Sequence, residues 1–275
     1  MIATGRDLLK RKLSPESFQR ATFCWWYGKF YLPHRIASAV VRRNPVVHGL
    51  PSELVDRLRG VNMSTPTTMC RIMTKHGSDK GNITWHNYTA VYSELFKTLG
   101  NHALRIFELG LGTNNPNLTS TMGVDARPGA SLRGWREIFP NAMVFGADID
   151  RDILFTEERI QTFYCDQMDV NAIRDLWAQP ALQDEMDIII DDGLHRFLAN
   201  TTFLDGSIGH LRPSGMYIVE DISGKDFEKW LEILPDYARR FPTCDVALVE
   251  LPSPFNHYDN NLLIIQKKVV SPPSP

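Results

Sequence analysis

Two short runs of apolar residues in this chain each end abruptly in carboxylates. Residues 188–190 are three isoleucines followed by two aspartates, the second of which is Asp192, and residues 217–219 are followed by Glu220 and Asp221. This pattern is typical of buried parallel strands whose carboxyl ends open onto a site. If the two strands are neighbours, about 4.8 Å apart, these three carboxylates come within reach of one hard cation that takes oxygen ligands.

His195 follows Asp192 by three positions. Imidazole titrates near neutral pH, so a histidine one short turn from a bound cation can exchange a proton with a group held there. The sequence therefore predicts His195 as a catalytic base, with Asp192 beside it. The alternative is a loop histidine that serves only packing.

Length and charge composition limit the size of the fold and the kind of partner to expect. The chain has 275 residues, 43% of them hydrophobic, which is enough for one large core with a smaller appendage. Its 30 basic residues are offset by 32 acidic ones, and the formal net charge is −2. This balance gives no electrostatic reason to expect nucleic acid as a partner.

The cysteines and the amino-terminal segment bear on location. The four cysteines form neither a Cys-x-x-Cys pair nor a disulfide pattern, which suits the reducing cytoplasm. Residues 1–14 lack the apolar core of a signal peptide. Pro33 and several charged residues interrupt the aromatic-rich segment 18–41, so we expect no transmembrane span. We interpret that segment as a helix docked on the main domain or as a contact within a homo-oligomer, with a peripheral membrane contact as the alternative.

Strand and helix patterns alternate from residue 104 onward. Predicted strands are 104–109, 143–147, 162–164, 186–190, 216–219, 245–250 and 261–266. Predicted helices are 131–139, 151–160, 171–177, 197–211 and 227–241. This alternation predicts an α/β fold with a doubly wound, mostly parallel, seven-stranded sheet and ligands at its carboxyl edge. The last two strands are joined by only 251–260, too short for a crossover helix, and so form a hairpin.

The remaining segments complete the predicted organisation. Residues 1–99 carry helical signals and form an amino-terminal auxiliary or cap region, which could also provide oligomer contacts. Residues 100–268 form the ligand-binding catalytic domain. The Pro- and Ser-rich tail 269–275 is expected to be disordered.

The first strand of the main domain ends in a glycine turn. Gly110 and Gly112 allow a backbone to approach a ligand closely, but Asn115 stands where a dinucleotide fingerprint has its third glycine. A pyrophosphate site is therefore disfavoured. Glu108 would also repel phosphates, whereas it suits a cationic ligand such as a sulfonium or amino group.

Carboxylates follow the next strands as well. Asp148 is placed to accept hydrogen bonds from ribose hydroxyls, and Asp166 with Gln167 to read an adenine edge. We include Asp191, at the end of its strand, in the same binding set. Surface polarity at strand ends is the alternative, but acidic residues in register at successive strand ends favour a nucleoside site.

Three further motifs carry a resemblance to a known family. They are the Lys-His-Gly-Ser-Asp-Lys-Gly run at 75–81, the His86-x-Tyr88 pair, and the Gly-Ala-Ser-Leu-x-x-Trp run at 129–135. Together with the carboxylates, they resemble the class I S-adenosylmethionine-dependent methyltransferases. More narrowly, residues 75–267 are similar to metal-dependent sugar O-methyltransferases.

The resemblance implies a cofactor and a metal. S-adenosylmethionine would contact the nucleoside set, with Ser78 and Lys80 folded over its methionine end. Asp192, Glu220 and Asp221 would hold Mg²⁺, and His195 would be the general base. The acceptor would be a sugar hydroxyl in a glycoside, nucleotide sugar or polysaccharide unit, as in natural-product or polysaccharide biosynthesis.

The acceptor side is less defined. We expect the 251–260 loop to border the acceptor pocket, because a hairpin leaving a parallel strand emerges at the active edge. The candidate acceptor contacts are Trp85, Phe255, His257 and Tyr258. Leu194 stands where the family usually has serine. The segment 113–128 is either a substrate lid or a structural insertion.

Two other functions remain open from the sequence. A catechol-like phenol is also methylated with carboxylate-bound Mg²⁺, and the aromatic candidates above suit a phenol as well as a sugar. A non-catalytic S-adenosylmethionine-binding accessory protein of a hydroxylase is the other, although retention of the whole carboxylate and histidine set argues against it.

Overall fold

The structure is a computed structural model that describes residues 44–81, 85–123, 126–253, 256 and 258–269. The predicted aromatic segment 18–41 and most of the predicted tail lie outside these residues, as do Phe255 and His257. No helix within the described ranges is long and apolar enough to cross a membrane.

A nine-stranded sheet runs through the described part of the chain. Its strands are β1 Val46–Gly49, β2 Arg105–Leu109, β3 Met143–Asp148, β4 Thr156–Glu157, β5 Ile160–Tyr164, β6 Met186–Asp191, β7 Leu211–Val219, β8 Cys244–Glu250 and β9 Asn261–Lys267. The helices are α1 Glu53–Arg59, α2 Thr68–His76, α3 Tyr88–Leu95, α4 Ala130–Ile138, α5 Val170–Trp177, α6 Phe197–Ser207 and α7 Gly224–Arg240.

The strand order is β1-β8-β9-β7-β6-β2-β3-β5-β4. Strands β5, β3, β2, β6 and β7 are parallel neighbours, and β9 is antiparallel to both β7 and β8. This confirms the predicted doubly wound, mostly parallel sheet and its closing hairpin. The short strands β1 and β4 extend the predicted seven strands at the two edges.

Both faces of the sheet are buried. Alternate residues of β2 and β6, such as Ile106 and Ile188, pack in a core with Trp135. Their neighbours Phe107 and Ile189 pack on the opposite face in a second core. Burial on both faces explains why these strands are continuous apolar runs without polar alternation.

Two predicted helices are wrong in part. Residues 151–160 form a single 3₁₀ turn at Arg151–Ile153 and then the β4–β5 hairpin, because Arg159 reverses the chain with a left-handed φ of 59°. The predicted helix 197–211 ends at Ser207, and a 3₁₀ turn at Ile208–His210 leads directly into β7. Over so few residues, helical spacing of apolar residues is a weak indication of a helix, and a local reversal of the chain overrides it.

The segment before residue 100 packs against the same sheet. The described part of this segment contains α1, α2 and α3, and also strand β1, which pairs with β8 and which the helical prediction did not include. Thr67 caps α2 through its hydroxyl, and Gly77 ends that helix with a left-handed φ of 88°. This stop directs residues 78–81 towards the carboxyl edge of the sheet. The division of the chain at residue 100 stays a prediction.

Candidate active site

A cavity of about 330 Å³ opens at the carboxyl edge of the sheet. It lies where strands β2, β3 and β6 end, as the sequence predicts for a ligand site. Most of the predicted site residues line it: Ser78, Lys80, Gly110, Gly112, Asp148, Asp166, Gln167, Asp192, His195 and Asp221. Glu108, Asp191, Glu220, Trp85 and Tyr258 lie outside this lining.

The register of the strands brings the predicted carboxylates together. Leu109 pairs with Asp191, which pairs with Val219, so β2, β6 and β7 end side by side. The Asp192 N–H donates to Leu109 O, and the Glu220 N–H donates to Asp191 O, both at 2.9 Å. The strands that end at Asp192 and at Glu220 are therefore neighbours, as the sequence analysis required.

The glycine turn after β2 is shaped by a close approach of two backbones. Gly110 has a φ of 92°, and a Cβ there would lie 1.9 Å from the carbonyl oxygen of Asp192. Gly112 has a φ of 75°. At position 110, only glycine can adopt the positive φ and also leave room for the Asp192 carbonyl oxygen.

Asp148 anchors the same turn from the end of β3. Its carboxylate accepts hydrogen bonds from the N–H groups of Leu111 at 2.7 Å and Asp150 at 2.9 Å. Burial raises the pKa of Asp148, and these backbone donors act in the opposite direction. The carboxylate still faces the cavity, where its free lone pairs can accept from a ligand hydroxyl.

Asp166 and Gln167 line the cavity from the loop that follows β5. Asp166 accepts from the N–H of Met168 at 2.9 Å. The Gln167 amide donates to Asp191 at 2.7 Å, and its oxygen accepts from the Leu194 N–H at 2.8 Å. Gln167 therefore ties the loop after β6 to the loop after β5.

Asp191 is fully buried beneath this loop. Besides Gln167, it accepts from Asn200 Nδ2 of helix α6 at 3.0 Å, and burial raises its pKa to about 6. It supports Gln167 from below the cavity wall. Asn200 was not predicted, because it lies within an apolar helix and contacts Asp191 only in the folded chain.

His195 lies between two of the predicted metal ligands. Its Nε2 is 3.2 Å from Asp192 Oδ1, and its Nδ1 is 3.6 Å from Asp221 Oδ2. Ligand atoms of the three residues all lie within 4.8 Å of one another. Burial by itself lowers the pKa of His195, but the charges of Asp221 and Asp192 outweigh it and raise the pKa to about 10.

Glu220 faces inward from the same edge. It is 1% exposed, and it accepts hydrogen bonds from the Tyr92 hydroxyl and the Lys80 ammonium. Glu108 is likewise fully buried and accepts from Ser131 Oγ and Trp135 Nε1, both at 2.5 Å. Sequence reasoning missed Tyr92, whose contact with Glu220 joins distant segments. Trp135 belongs to the motif at 129–135 that carries the family resemblance, but the sequence assigned it no role.

A second cluster, around His86, joins three segments. Its Nδ1 lies 3.4 Å from Asp79, and its Nε2 lies 3.4 Å from Asp259 and 3.5 Å from Asp221. The Tyr88 hydroxyl donates to Asp221 Oδ1 at 2.6 Å. The hairpin loop therefore reaches the active edge through Asp259. The His86-x-Tyr88 motif was the sequence signal for this cluster, although it assigned neither residue a role.

The segment after Gly112 covers part of the cavity. Leu118, Ser120 and Met122 line it, and Ser120 Oγ donates to the carbonyl of Gly193 at 3.1 Å. The contact joins this loop to the residue that follows Asp192. It fits either alternative for the loop, a lid or a structural insertion.

Comparison with known proteins gives both a fold and relatives. No family model matches the chain. It is 36% identical over 150 residues to the 8-demethyl-8-alpha-L-rhamnosyl tetracenomycin-C 2'-O-methyltransferase of Streptomyces olivaceus, covering 54% of this chain and 36% of that protein. It is 30% identical over 184 residues to the 8-demethyl-8-(2-methoxy-alpha-L-rhamnosyl)-tetracenomycin-C 3'-O-methyltransferase of the same organism, covering 66% of this chain and 42% of that protein.

The mycinamicin VI 2''-O-methyltransferase of Micromonospora griseorubida is 30% identical over 138 residues, covering 50% of this chain and 32% of that protein. The chain thus spans less than half the length of these relatives. Among solved structures, the MycE methyltransferase of the mycinamycin pathway, in complex with Mg and SAH, aligns with a TM-score of 0.55 at 22% identity, covering 74% of this chain and 55% of that one. The chain therefore has the class I methyltransferase fold and is related in sequence to O-methyltransferases of rhamnosyl tetracenomycin C and of mycinamicin VI.

Proposed function

We propose that this chain is an S-adenosylmethionine- and Mg²⁺-dependent O-methyltransferase that acts on a sugar hydroxyl. The observation that carries the proposal is the position of His195 between Asp192 and Asp221, in a cavity that Asp148 and Asp166 also line. A proton acceptor, a cation site and hydrogen-bond acceptors for a nucleoside thus share one cavity.

The cavity fits S-adenosylmethionine, which supplies an electrophilic methyl group on a sulfonium. The turn at Gly110 and Gly112 lets the chain approach such a ligand closely. Asp148 is placed for ribose hydroxyls, and Asp166 with Gln167 for the adenine edge. In this proposal Ser78 and Lys80 close the methionine end, while Glu108 and Asp191 act through the residues that they hold.

The donor set also fits a hard divalent cation. Asp192 and Asp221 each direct an oxygen towards His195, and their ligand atoms lie close enough to share one ion. Glu220, adjacent to Asp221, is proposed as the third ligand. When bound, Mg²⁺ supplies electrostatic stabilisation of an alkoxide that develops on the acceptor.

His195 is proposed to take the acceptor proton. A sugar hydroxyl is a poor nucleophile unless its proton is removed as the new bond forms. The raised pKa of His195 comes from Asp192 and Asp221, so its proton affinity falls when the charge of those carboxylates is offset. The carboxylates themselves are weaker bases than imidazole.

The acceptor is proposed to enter beside the hairpin loop, which Asp259 ties to His86. Trp85 precedes His86 in the sequence, and Tyr258 precedes Asp259. These two residues, with Phe255 and His257, are the proposed acceptor contacts. The rhamnosyl substrates named for the relatives support a glycoside acceptor. A cytoplasmic location and a homo-oligomer through the amino-terminal helices are further parts of the proposal.

Two measurements test this function. Calorimetry should show binding of S-adenosylmethionine and of its demethylated product. A panel of glycosides, nucleotide sugars and catechols, each incubated with S-adenosylmethionine and Mg²⁺, should then yield a methylated sugar. Methylation of catechols alone would replace the sugar acceptor with a phenol, and binding without any turnover would favour the accessory-protein alternative.

A further inference from the structure

The side chain of Lys80 is buried among carboxylates. Lys80 is 1% exposed, and its backbone carbonyl is fixed by hydrogen bonds from the N–H of Thr89 at 3.2 Å and from Thr89 Oγ1 at 3.1 Å. The left-handed Gly77 that ends α2 starts the turn that leads to it. The lysine is therefore held in place by structure on both sides of its loop.

Its ammonium contacts the ends of three neighbouring strands. Nζ lies 2.5 Å from Asp192 Oδ2, donates a hydrogen bond to Glu220 Oε2, and lies 3.4 Å from Glu108 Oε1. Lysine is almost never fully buried without such partners. Burial by itself lowers the pKa of Lys80, but Asp192, Glu108 and Glu220 outweigh it and raise the pKa well above its ordinary value.

The charges around Lys80 do not balance. One ammonium faces three carboxylates, of which only Asp192 has a second cationic partner, His195. The other polar partners of Glu108 and Glu220 are the neutral side chains of Ser131, Trp135 and Tyr92. Burial, together with the neighbouring carboxylates, raises the pKa of both glutamates. Like charges held this close in a buried site repel strongly unless a cation lies between them. The lysine supplies part of that positive charge, and the remaining deficit suits a divalent cation.

We propose that Lys80 is the resident counter-cation of the site: its ammonium holds Asp192 and Glu220 together when no divalent cation is bound and competes with that cation for the same two carboxylates. The competition rests on the proposed metal site. The effect on the metal-free protein does not.

Removal of the ammonium should shift two measured quantities in opposite directions. Lys80→Met leaves Glu108 and Glu220 without a cationic partner and leaves Asp192 with His195 alone, so the metal-free protein should lose stability. The same variant presents one more uncompensated negative charge to an incoming cation, so it should bind Mn²⁺, a probe for Mg²⁺, more tightly. A residue that only maintained local structure would lower both stability and Mn²⁺ affinity.

The experiment compares the wild-type full chain with Lys80→Met and with Lys75→Met, a control on the preceding helix. Lys75 pairs with Glu137 at the surface and is 65% exposed. The melting temperature is measured in EDTA, and Mn²⁺ affinity is measured by electron paramagnetic resonance titration. We expect Lys80→Met to melt about 10 °C lower in EDTA and to bind Mn²⁺ about tenfold more tightly, with neither quantity changed in Lys75→Met.

A double variant keeps the test decisive if Lys80→Met does not fold in EDTA. Glu220→Gln removes one of the carboxylates left unpaired, so Lys80→Met/Glu220→Gln should melt higher than Lys80→Met alone. No recovery in the double variant, or an unchanged melting temperature in Lys80→Met, would overturn the counter-cation role. Wild-type Mn²⁺ binding that Lys80→Met leaves unchanged or weakens would overturn the competition. A wild-type chain that binds no Mn²⁺ at all would instead contradict the proposed metal site.

Discussion

His195 Nδ1 lies 3.6 Å from Asp221 Oδ2, and both residues have a left-handed backbone, with φ values of 55° and 56°. Residues other than glycine rarely adopt this backbone conformation, which costs of order 1–3 kcal/mol per residue. Strain of this kind persists where the surrounding structure fixes it, and it is common at functional sites. His195 and Asp221 are the residues to which we assign proton transfer and metal binding, whereas Arg159 and Ser214, which also have a left-handed φ, lie outside the cavity lining.

The protonation of His195 can be measured without any substrate. Because Asp221 and Asp192 raise its pKa to about 10 from an ordinary value of 6.5, the imidazole should stay protonated at pH 8 in EDTA. Its contribution to stability is then complete below pH 6.5 and is lost as the pH rises through about 10. An NMR titration of the imidazole protons should show this, with a lower midpoint in Asp221→Asn. A wild-type midpoint at or below 6.5 would contradict the assignment.

The base role predicts a large loss of turnover. His195→Ala should lower kcat by a factor of about 10² to 10⁴, the usual contribution of a positioned base. S-adenosylmethionine affinity, measured by calorimetry, should change little. His102→Ala, at an exposed position, serves as the control. If His195→Ala has a turnover near that of wild type under conditions where chemistry limits the rate, His195 is not the catalytic base.

The glycine turn predicts a sharp difference between two substitutions. Gly110→Ala places a Cβ 1.9 Å from the Asp192 carbonyl oxygen, whereas a Cβ at Gly209 meets no atom within 4 Å. We expect Gly110→Ala to lower the free energy of unfolding by at least about 3 kcal/mol and Gly209→Ala to change it by less than about 0.5 kcal/mol. Denaturant unfolding measures both. Equal stability of the two variants would show that the approach at Gly110 is looser than described.

Asp148 is predicted to carry much of the cofactor affinity. Its carboxylate holds the Leu111 N–H and faces the cavity, so Asp148→Ala removes both a ligand acceptor and an anchor of the turn. We expect S-adenosylmethionine affinity to fall roughly 10- to 100-fold, the effect of losing a hydrogen bond to a charged group. Asp152→Ala, at an exposed position nearby, should leave the affinity unchanged. Calorimetry that gives the same affinity for both variants would exclude the ribose contact.

The sequence predicted the sheet and the edge of the site well, because both depend on local patterns. Apolar runs ending at Asp192 and Glu220 mark strand ends, and parallel pairing brings such ends together. The β4–β5 hairpin was missed because its apolar residues also fit helical spacing. The roles of Lys80 and His86 depend on contacts between distant segments, which the periodicity of apolar residues does not predict.

The same limit applies to the carboxylates themselves. From the sequence, both Glu108 and Asp148 were assigned to the ligand, Glu108 to a cationic group and Asp148 to ribose hydroxyls, since both follow apolar strand residues. In the folded chain Glu108 is covered by Ser131 and Trp135, while Asp148 lines the cavity. Which carboxylate meets a ligand and which meets a buried partner is decided by the helix packed over each strand end.

The proposed metal-dependent methylation of a sugar hydroxyl is tested most directly by one assay. A rhamnosyl glycoside is incubated with the protein and S-adenosylmethionine, with Mg²⁺ or with excess EDTA, and the product is identified by mass spectrometry. We predict a singly methylated glycoside with Mg²⁺ and none in EDTA, with activity restored when Mg²⁺ is added back. Full methylation of the glycoside in excess EDTA would contradict the account.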